Sequence, residues 1–150
     1  MKTKRTVLLI ILLLAVAGLV SLPVIVKATS SPEFCNSCHV MNSQYEHWRL
    51  TGLHRSIKCV DCHLPNNNIV NHLVWKAIDG TKDVVLFYTG LFDPSNIEAR
   101  PHTIRTVQKN CNRCHADMVS LMNNENRNCW SCHRRSNHTY PEISRLEMRP

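Results

Sequence analysis

Two hydrophobic patterns divide this chain. From Thr6 to Val26 there is no charged residue, and Val7 to Val26 is twenty residues of Val, Leu, Ile, Ala and Gly, broken only by Ser21 and Pro23. A helix over this stretch has no polar face and would rise roughly 30 Å, the depth of a bilayer's hydrocarbon layer. It is therefore expected to span a membrane rather than to sit in a core. Pro23 falls in the last turn of the stretch, where breaking a helix costs least. The segment is longer than the apolar part of a secretory signal, about 7–15 residues, so residues 1–28 are expected to remain as a membrane anchor. Val26-Lys27-Ala28 still offers a weak cleavage site, which keeps a removed signal peptide as the alternative. Lys2, Lys4 and Arg5 precede the apolar run. They favour an N-terminus in the cytoplasm, with residues 29–150 outside it.

The second pattern is amphipathic. In HLVWKAIDGTKDVVLFYTGLF, His72, Lys76, Asp79 and Asp83 recur four, three and four residues apart, which places them on one helical face. Leu73, Val74, Ile78 and Val85 lie on the other. Gly80 weakens the helix by about 1 kcal/mol relative to Ala. After it, VVLFY and LF are too short to cross a membrane but apolar enough to lie against one. Asp93-Pro94-Ser95-Asn96 reads as a turn, as does Asn66-Asn67-Asn68. An ordinary amphipathic helix with a solvated charged face would show the same spacing.

Composition makes the rest of the chain puzzling. Three Phe, three Tyr and three Trp are available to build a core, too few for a stable fold without another source of buried surface. The eight cysteines suggest that source. They form Cys35-Asn-Ser-Cys38-His39, Cys59-Val-Asp-Cys62-His63, Cys111-Asn-Arg-Cys114-His115 and Cys129-Trp-Ser-Cys132-His133, with none left over. C-x-x-C-H is the attachment signature of c-type haem. Cysteines three apart share one side of a helical turn and can form thioethers to one porphyrin edge, while the following histidine reaches the iron. Zinc ribbons and disulfides also use paired cysteines, but neither requires His after each pair. Four covalent haems are expected to fill the interior. The fold class is then mainly α: one transmembrane helix, then short helices and loops around four haems, with little or no sheet.

Four irons with two protein ligands each would need eight. The motifs provide His39, His63, His115 and His133, leaving His47, His54, His72, His102 and His138. Every iron could be bis-His by number alone. His138 follows His133 by five residues and His54 precedes Cys59 by five, too close to cap the same iron from its other side. Each would have to serve a different haem. Met41, two residues after His39, is a further candidate, and spacing does not choose between iron ligation and packing for it.

The anchor, the four motifs, the first continued as C-x-x-C-H-x-M, and the segment CVDCHLPN together resemble the membrane-bound tetrahaem quinol dehydrogenases of the NapC/NirT type. The short gap between His54 and Cys59, the phrase VQKNCNRCH and the brief C-terminus are most similar to the small subunits of cytochrome c nitrite reductase within that group. The resemblance implies that Met41 ligates the first haem, with His39 beside it and not ligating. It pairs His63 with His138 on the second haem and His115 with His54 on the third. His133 holds the fourth, with a lysine from a partner protein as its other ligand. His47 and His102 are then expected at the surface. The resemblance also implies a quinol site lined by Lys76 and Asp83, Lys76 bonding the quinol oxygen and Asp83 taking up a proton beside the first haem. His72 and Asp79 are weaker candidates on the same face.

The expected function is oxidation of menaquinol at the periplasmic side of the inner membrane. Electrons would pass through the haems to a larger multihaem nitrite reductase that makes ammonium, and the chain itself would not reduce nitrite. The alternatives are a general quinol dehydrogenase feeding other periplasmic reductases, a stand-alone haem enzyme, or a passive electron carrier. The net charge of +7 suits a nucleic-acid binder in general, but not an exported haem protein. Arg127, Arg134, Arg135, Arg145 and Arg149 form either a docking surface for an acidic partner or a solvated one.

Overall fold

In the computed structural model the described residues are 2–50, 53–91, 93, 97–122, 127–133, 136 and 138. Pro94, Ser95 and Asn96 of the expected turn, and Arg134, Arg135, Arg145 and Arg149 of the basic tail, lie outside them. Among the described residues six α-helices run in order: α1 Lys2–Ala28, α2 Pro32–Asn36, α3 Asn42–Leu50, α4 Cys59–His63, α5 Ile69–Tyr88 and α6 Pro101–Val119. Short 3-10 turns cover His39–Met41 and Cys129–Ser131. No strand occurs among the described residues, as expected for a mainly α cytochrome.

Helix α1 is the apolar run, and its large side chains from Val7 to Ile25 are exposed along its length. It extends to Ala28, so Pro23 lies inside the helix rather than in its last turn. A lipid-facing helix tolerates such a residue where hydroxyls and neighbouring groups satisfy the freed backbone. Ser21 Oγ donates to Gly18 O at 3.0 Å just upstream. The helix ends in a hydroxyl-capped turn, with Thr29 Oγ1 on Ile25 O at 2.8 Å and Ser30 Oγ on Val26 O at 2.6 Å.

Beyond α1 the helices are not all short. Helix α5 has twenty residues and α6 nineteen. Helix α5 starts at an N-cap, where Asn68 Oδ1 accepts from Asn71 N at 2.8 Å. It runs through Gly80, so VVLFY is its last turns and not a separate surface segment. The propensity cost of one glycine is small beside the helical continuity on both sides of it. The chain turns after Tyr88 at Gly90, whose φ of 68° suits glycine.

Helix α4 packs on α6 through Asn110. Its side-chain amide donates to Cys62 O at 2.9 Å and to Leu64 O at 2.8 Å. Asn66 closes the same C-terminal end of α4 by donating to Asp61 O at 3.0 Å and Leu64 O at 2.7 Å. Leu64 is the only buried apolar side chain among the described residues, while Ser30, Thr103 and Asn110 are buried polar ones. The side chains alone therefore assemble no apolar core, in keeping with the composition.

Candidate haem and quinol sites

The four cysteine motifs are strung together in chain order. Cys59 donates a thiol hydrogen bond to Cys35, which lowers Cys35 to about 7 and pushes Cys59 well up. Cys62 lies within electrostatic reach of Cys111 and Cys114. Cys111 in turn shares a hydrogen bond with Cys129. First motif meets second, second meets third, and third meets fourth. Thioether formation would remove these thiol protons and leave the order of the sulfurs as the lasting feature.

Local backbone differs among the motifs. The second occupies α4, and Asp61 there accepts from Lys58 N at 3.2 Å, capping the helix start. The third closes α6, which kinks at His115 with φ −111° and ψ 21°. The first is split. Cys35 ends α2, Cys38 is extended at φ −89° and ψ 118°, and His39 opens a 3-10 turn. The single helical turn expected of every motif therefore holds for two of them. A proline at the start of α2 and the N-cap Ser31, which accepts from Phe34 N at 3.2 Å, fix the entry to the first motif. Gln108 of α6 holds the fourth. Its carbonyl accepts from Cys129 N at 3.0 Å, and its amide donates to Cys129 Sγ at 3.2 Å.

The histidines divide cleanly. The rings of His63 and His138 are stacked with centroids 6.0 Å apart and planes within 17°. Those of His54 and His115 are also 6.0 Å apart, edge to face at 75°. Two imidazoles bound to one iron from opposite sides, by bonds of about 2 Å each, would have centroids roughly 6 Å apart. Both pairs fit an iron held between them. Burial pushes His63 down to about 4, and neighbouring His138 adds to the effect. Burial also lowers His138, assisted by His47 and opposed by a hydrogen bond with the Gln44 backbone. Both rings are thus kept in the neutral form that ligates metal. Trp48 fixes the loop that carries His54, its indole N–H donating to His54 O and to Ile57 O, each at 3.0 Å.

His39 faces no other histidine. Its exposed ring meets Phe87 of α5 edge to face at 5.8 Å. His133 is exposed. His72 is committed elsewhere, its Nδ1 bonding Pro65 O and Asn66 Oδ1, both at 3.1 Å. It therefore ties α5 to the segment that follows α4. His47 is half-buried beside His138, where a surface position was expected. So is His102. Its Nε2 meets Asp79 Oδ2 at 2.9 Å, and its ring stacks on Trp75 at 4.5 Å.

Lys76, Asp83 and Phe87 share one face of α5, with spacings of seven and four. Lys76 Nζ donates to Thr29 O at 2.9 Å, in the turn that ends α1. Burial lowers Lys76, opposed only by the nearby Cys35 sulfur. The first motif thus runs beside this face, with Cys35 near Lys76 and His39 at Phe87. Asp83 is 68% exposed and ion-paired with Arg100. No feature of the sequence had singled out Arg100. It is an isolated arginine in a connecting segment, and only the approach of the start of α6 to α5 gives it a partner.

Residues 1–140 match the model of the NapC/NirT cytochrome c family, N-terminal region. The cytochrome c-type protein NrfH of Wolinella succinogenes is 38% identical over 120 residues, covering 71% of this chain and 67% of that protein. The cytochrome c nitrite reductase subunit NrfH of Nitratidesulfovibrio vulgaris is 36% identical over 130 residues, covering 83% and 79%. The crystal structure of the cytochrome c nitrite reductase NrfHA complex bound to the HQNO inhibitor contains a chain that superposes with a TM-score of 0.69 at 33% identity, covering 94% of this chain and 93% of that one.

Proposed function

Because the chain belongs to the NapC/NirT cytochrome c family, we propose that it is a membrane-anchored tetrahaem subunit that oxidises menaquinol and feeds a periplasmic, multihaem cytochrome c nitrite reductase. Cys35 and Cys38, Cys59 and Cys62, Cys111 and Cys114, and Cys129 and Cys132 would hold the four haems by thioethers. When bound, the haems supply one-electron carriers between the quinol and the partner. His63 with His138 and His54 with His115 would provide the axial ligands of the second and third, a reading supported by the two ring separations of 6.0 Å. Met41 would ligate the first haem. His133, exposed, would share the fourth with a lysine of the partner subunit. The N-terminus would lie in the cytoplasm, and residues 29–150 in the periplasm.

One observation carries the quinol reading: Lys76 is bonded to Thr29 O in the turn that ends the apolar helix. A quinol dissolved in the bilayer must surrender two protons at the membrane surface, where α5 meets α1. Lysine has three donors, so Lys76 can keep its bond to Thr29 and donate another to a quinol oxygen. Asp83, seven residues along the same face, is exposed and acceptor-only while ionised. It would take up a quinol proton as general base. The NrfHA complex binds the inhibitor HQNO, and the same inhibitor is a suitable probe here.

The test is co-purification. The chain, tagged at its C-terminus, is extracted in mild detergent, and its haem-staining companions are identified by mass. A larger multihaem partner, with quinol-dependent nitrite reduction by the pair, is the expected result. A tetrahaem chain that comes alone yet oxidises quinol would instead mark a general donor. Within the complex, Asp83→Asn and Lys76→Leu should each lower quinol oxidation by about 10²-fold or more. Unchanged rates in both variants would remove the site from this face of α5.

A further inference from the structure

Arg100 stands immediately before Pro101, the first residue of α6. A residue before proline is confined to extended backbone, and Arg100 has φ −64° and ψ 153°. Its direction away from α6 is therefore fixed by the chain itself, and it reaches across to α5. There it meets two carboxylates four residues apart on one helical face, Asp79 and Asp83, which would otherwise repel each other. One guanidinium nitrogen bonds Asp79 Oδ1 at 3.0 Å, and another bonds Asp83 Oδ1.

The two ends of this bridge differ. Asp79 is only 14% exposed, and its second oxygen is held by His102 Nε2 at 2.9 Å. An ionised carboxylate can only accept, so that ring nitrogen carries the proton. Trp75, one turn before Asp79, stacks on the same ring at 4.5 Å. Arg100 is thus anchored at the Asp79 end by half-buried groups that are themselves held. Its remaining fork points at an exposed acid. An exposed ion pair contributes little to stability, and the Asp79 end already joins α5 to the start of α6. The Asp83 end is the part that a structural role does not require.

We propose that Arg100 is a positioning residue for quinol oxidation: locked by Asp79, it fixes and orients the Asp83 carboxylate that receives a quinol proton. The inference rests on the reading of Asp83 given above. In the step concerned, one quinol O–H bond breaks, its proton passes to Asp83, and one electron passes to the chain's c-type haems. With Asp83 ionised, the Asp79–Arg100–Asp83 group carries a net charge of −1. With Asp83 protonated it is neutral, and Arg100 still has Asp79 as counter-ion. The fork can therefore hold Asp83 in place before the transfer and remain compensated after it.

The experiment uses the full-length haem-loaded chain co-purified with its partner, with a reduced naphthoquinone as donor and nitrite as acceptor. Arg100→Gln, Arg100→Lys, Asp79→Asn and Asp83→Asn are compared. In Arg100→Gln, kcat should fall by about tenfold or more with KM within about threefold. The Kd for HQNO should also stay within about threefold, and the dithionite-reduced haem spectrum should be unchanged. Arg100→Lys should recover much of the lost rate, since a single cationic donor still reaches Asp83. If Arg100→Gln keeps its kcat while Asp83→Asn loses it, the inference is overturned and the quinol site stands. A rise in KM alone overturns it too, by assigning Arg100 to binding. If Arg100→Gln fails to assemble its haems, Asp79→Asn decides: a lowered kcat at constant KM supports the role, and an unchanged kcat refutes it. If Asp83→Asn itself is fully active, the proton-acceptor reading fails first and this one with it.

Discussion

At the scale of single residues, the histidines carry most of the information. Nine are present in the chain, and the C-x-x-C-H pattern sorts four of them at once. The other five are indistinguishable by type. Their partners distinguish them: His54 and His138 each face a motif histidine at 6.0 Å, whereas His72 is tied to Pro65 and Asn66 and His102 to Asp79. Replacing His54 or His138 by Ala should each remove one low-spin haem from the electron paramagnetic resonance spectrum. His72→Ala should leave the number of low-spin haems unchanged. A full low-spin complement in His54→Ala or His138→Ala would mean that the ligands had been matched to the wrong irons. His47 and His102, expected at the surface, are half-buried, because spacing registers neither Trp75 and Asp79 around His102 nor His138 near His47.

At the scale of elements, α6 is the organising helix. Within five residues of VQKNC it presents Gln108 to the fourth motif, Asn110 to the second and Cys111 as the start of the third. The short phrase that marked a family resemblance in the sequence thus has a physical reason. Side chains two apart point in different directions from a helix, so one turn can hold two other motifs while beginning its own. Asn110→Ala would leave the carbonyls of Cys62 and Leu64 without these donors in a buried place. It should lower unfolding free energy by about 1–3 kcal/mol, read from a guanidinium titration followed at the haem absorption. Gln108→Ala, at a half-buried position, should cost less. An Asn110→Ala protein as stable as the parent would show that α4 is held to α6 by other means. Helix α5 teaches the opposite lesson. Its polar face was legible from four-three-four spacing, but its length was not, because Gly80 and the apolar VVLFY read locally as a break.

At the scale of the whole molecule, the protein is a conduit with a membrane end and a partner end. The end of the apolar helix meets the α5 face proposed for quinol at Lys76 and Thr29, and the sulfurs then run from first motif to fourth. The fourth ends the series with an exposed histidine. A partner-supplied lysine there predicts one fewer high-spin haem in the complex than in the isolated chain, as measured by electron paramagnetic resonance. Equal counts in the two preparations would place that ligand within the chain. The sequence by itself determined an apolar N-terminal helix long enough to cross a bilayer, the number of haem attachment motifs and the shortage of an ordinary core, because each follows from residue type and covalent spacing. It also marked Lys76 and Asp83, through a resemblance carried by matching motifs. Only the tertiary structure decided which histidines face one another, the order of the motifs in space, and that Arg100 bridges Asp79 to Asp83. Those facts depend on residues 17 to 75 positions apart meeting across the chain, and no local period or spacing encodes such a meeting.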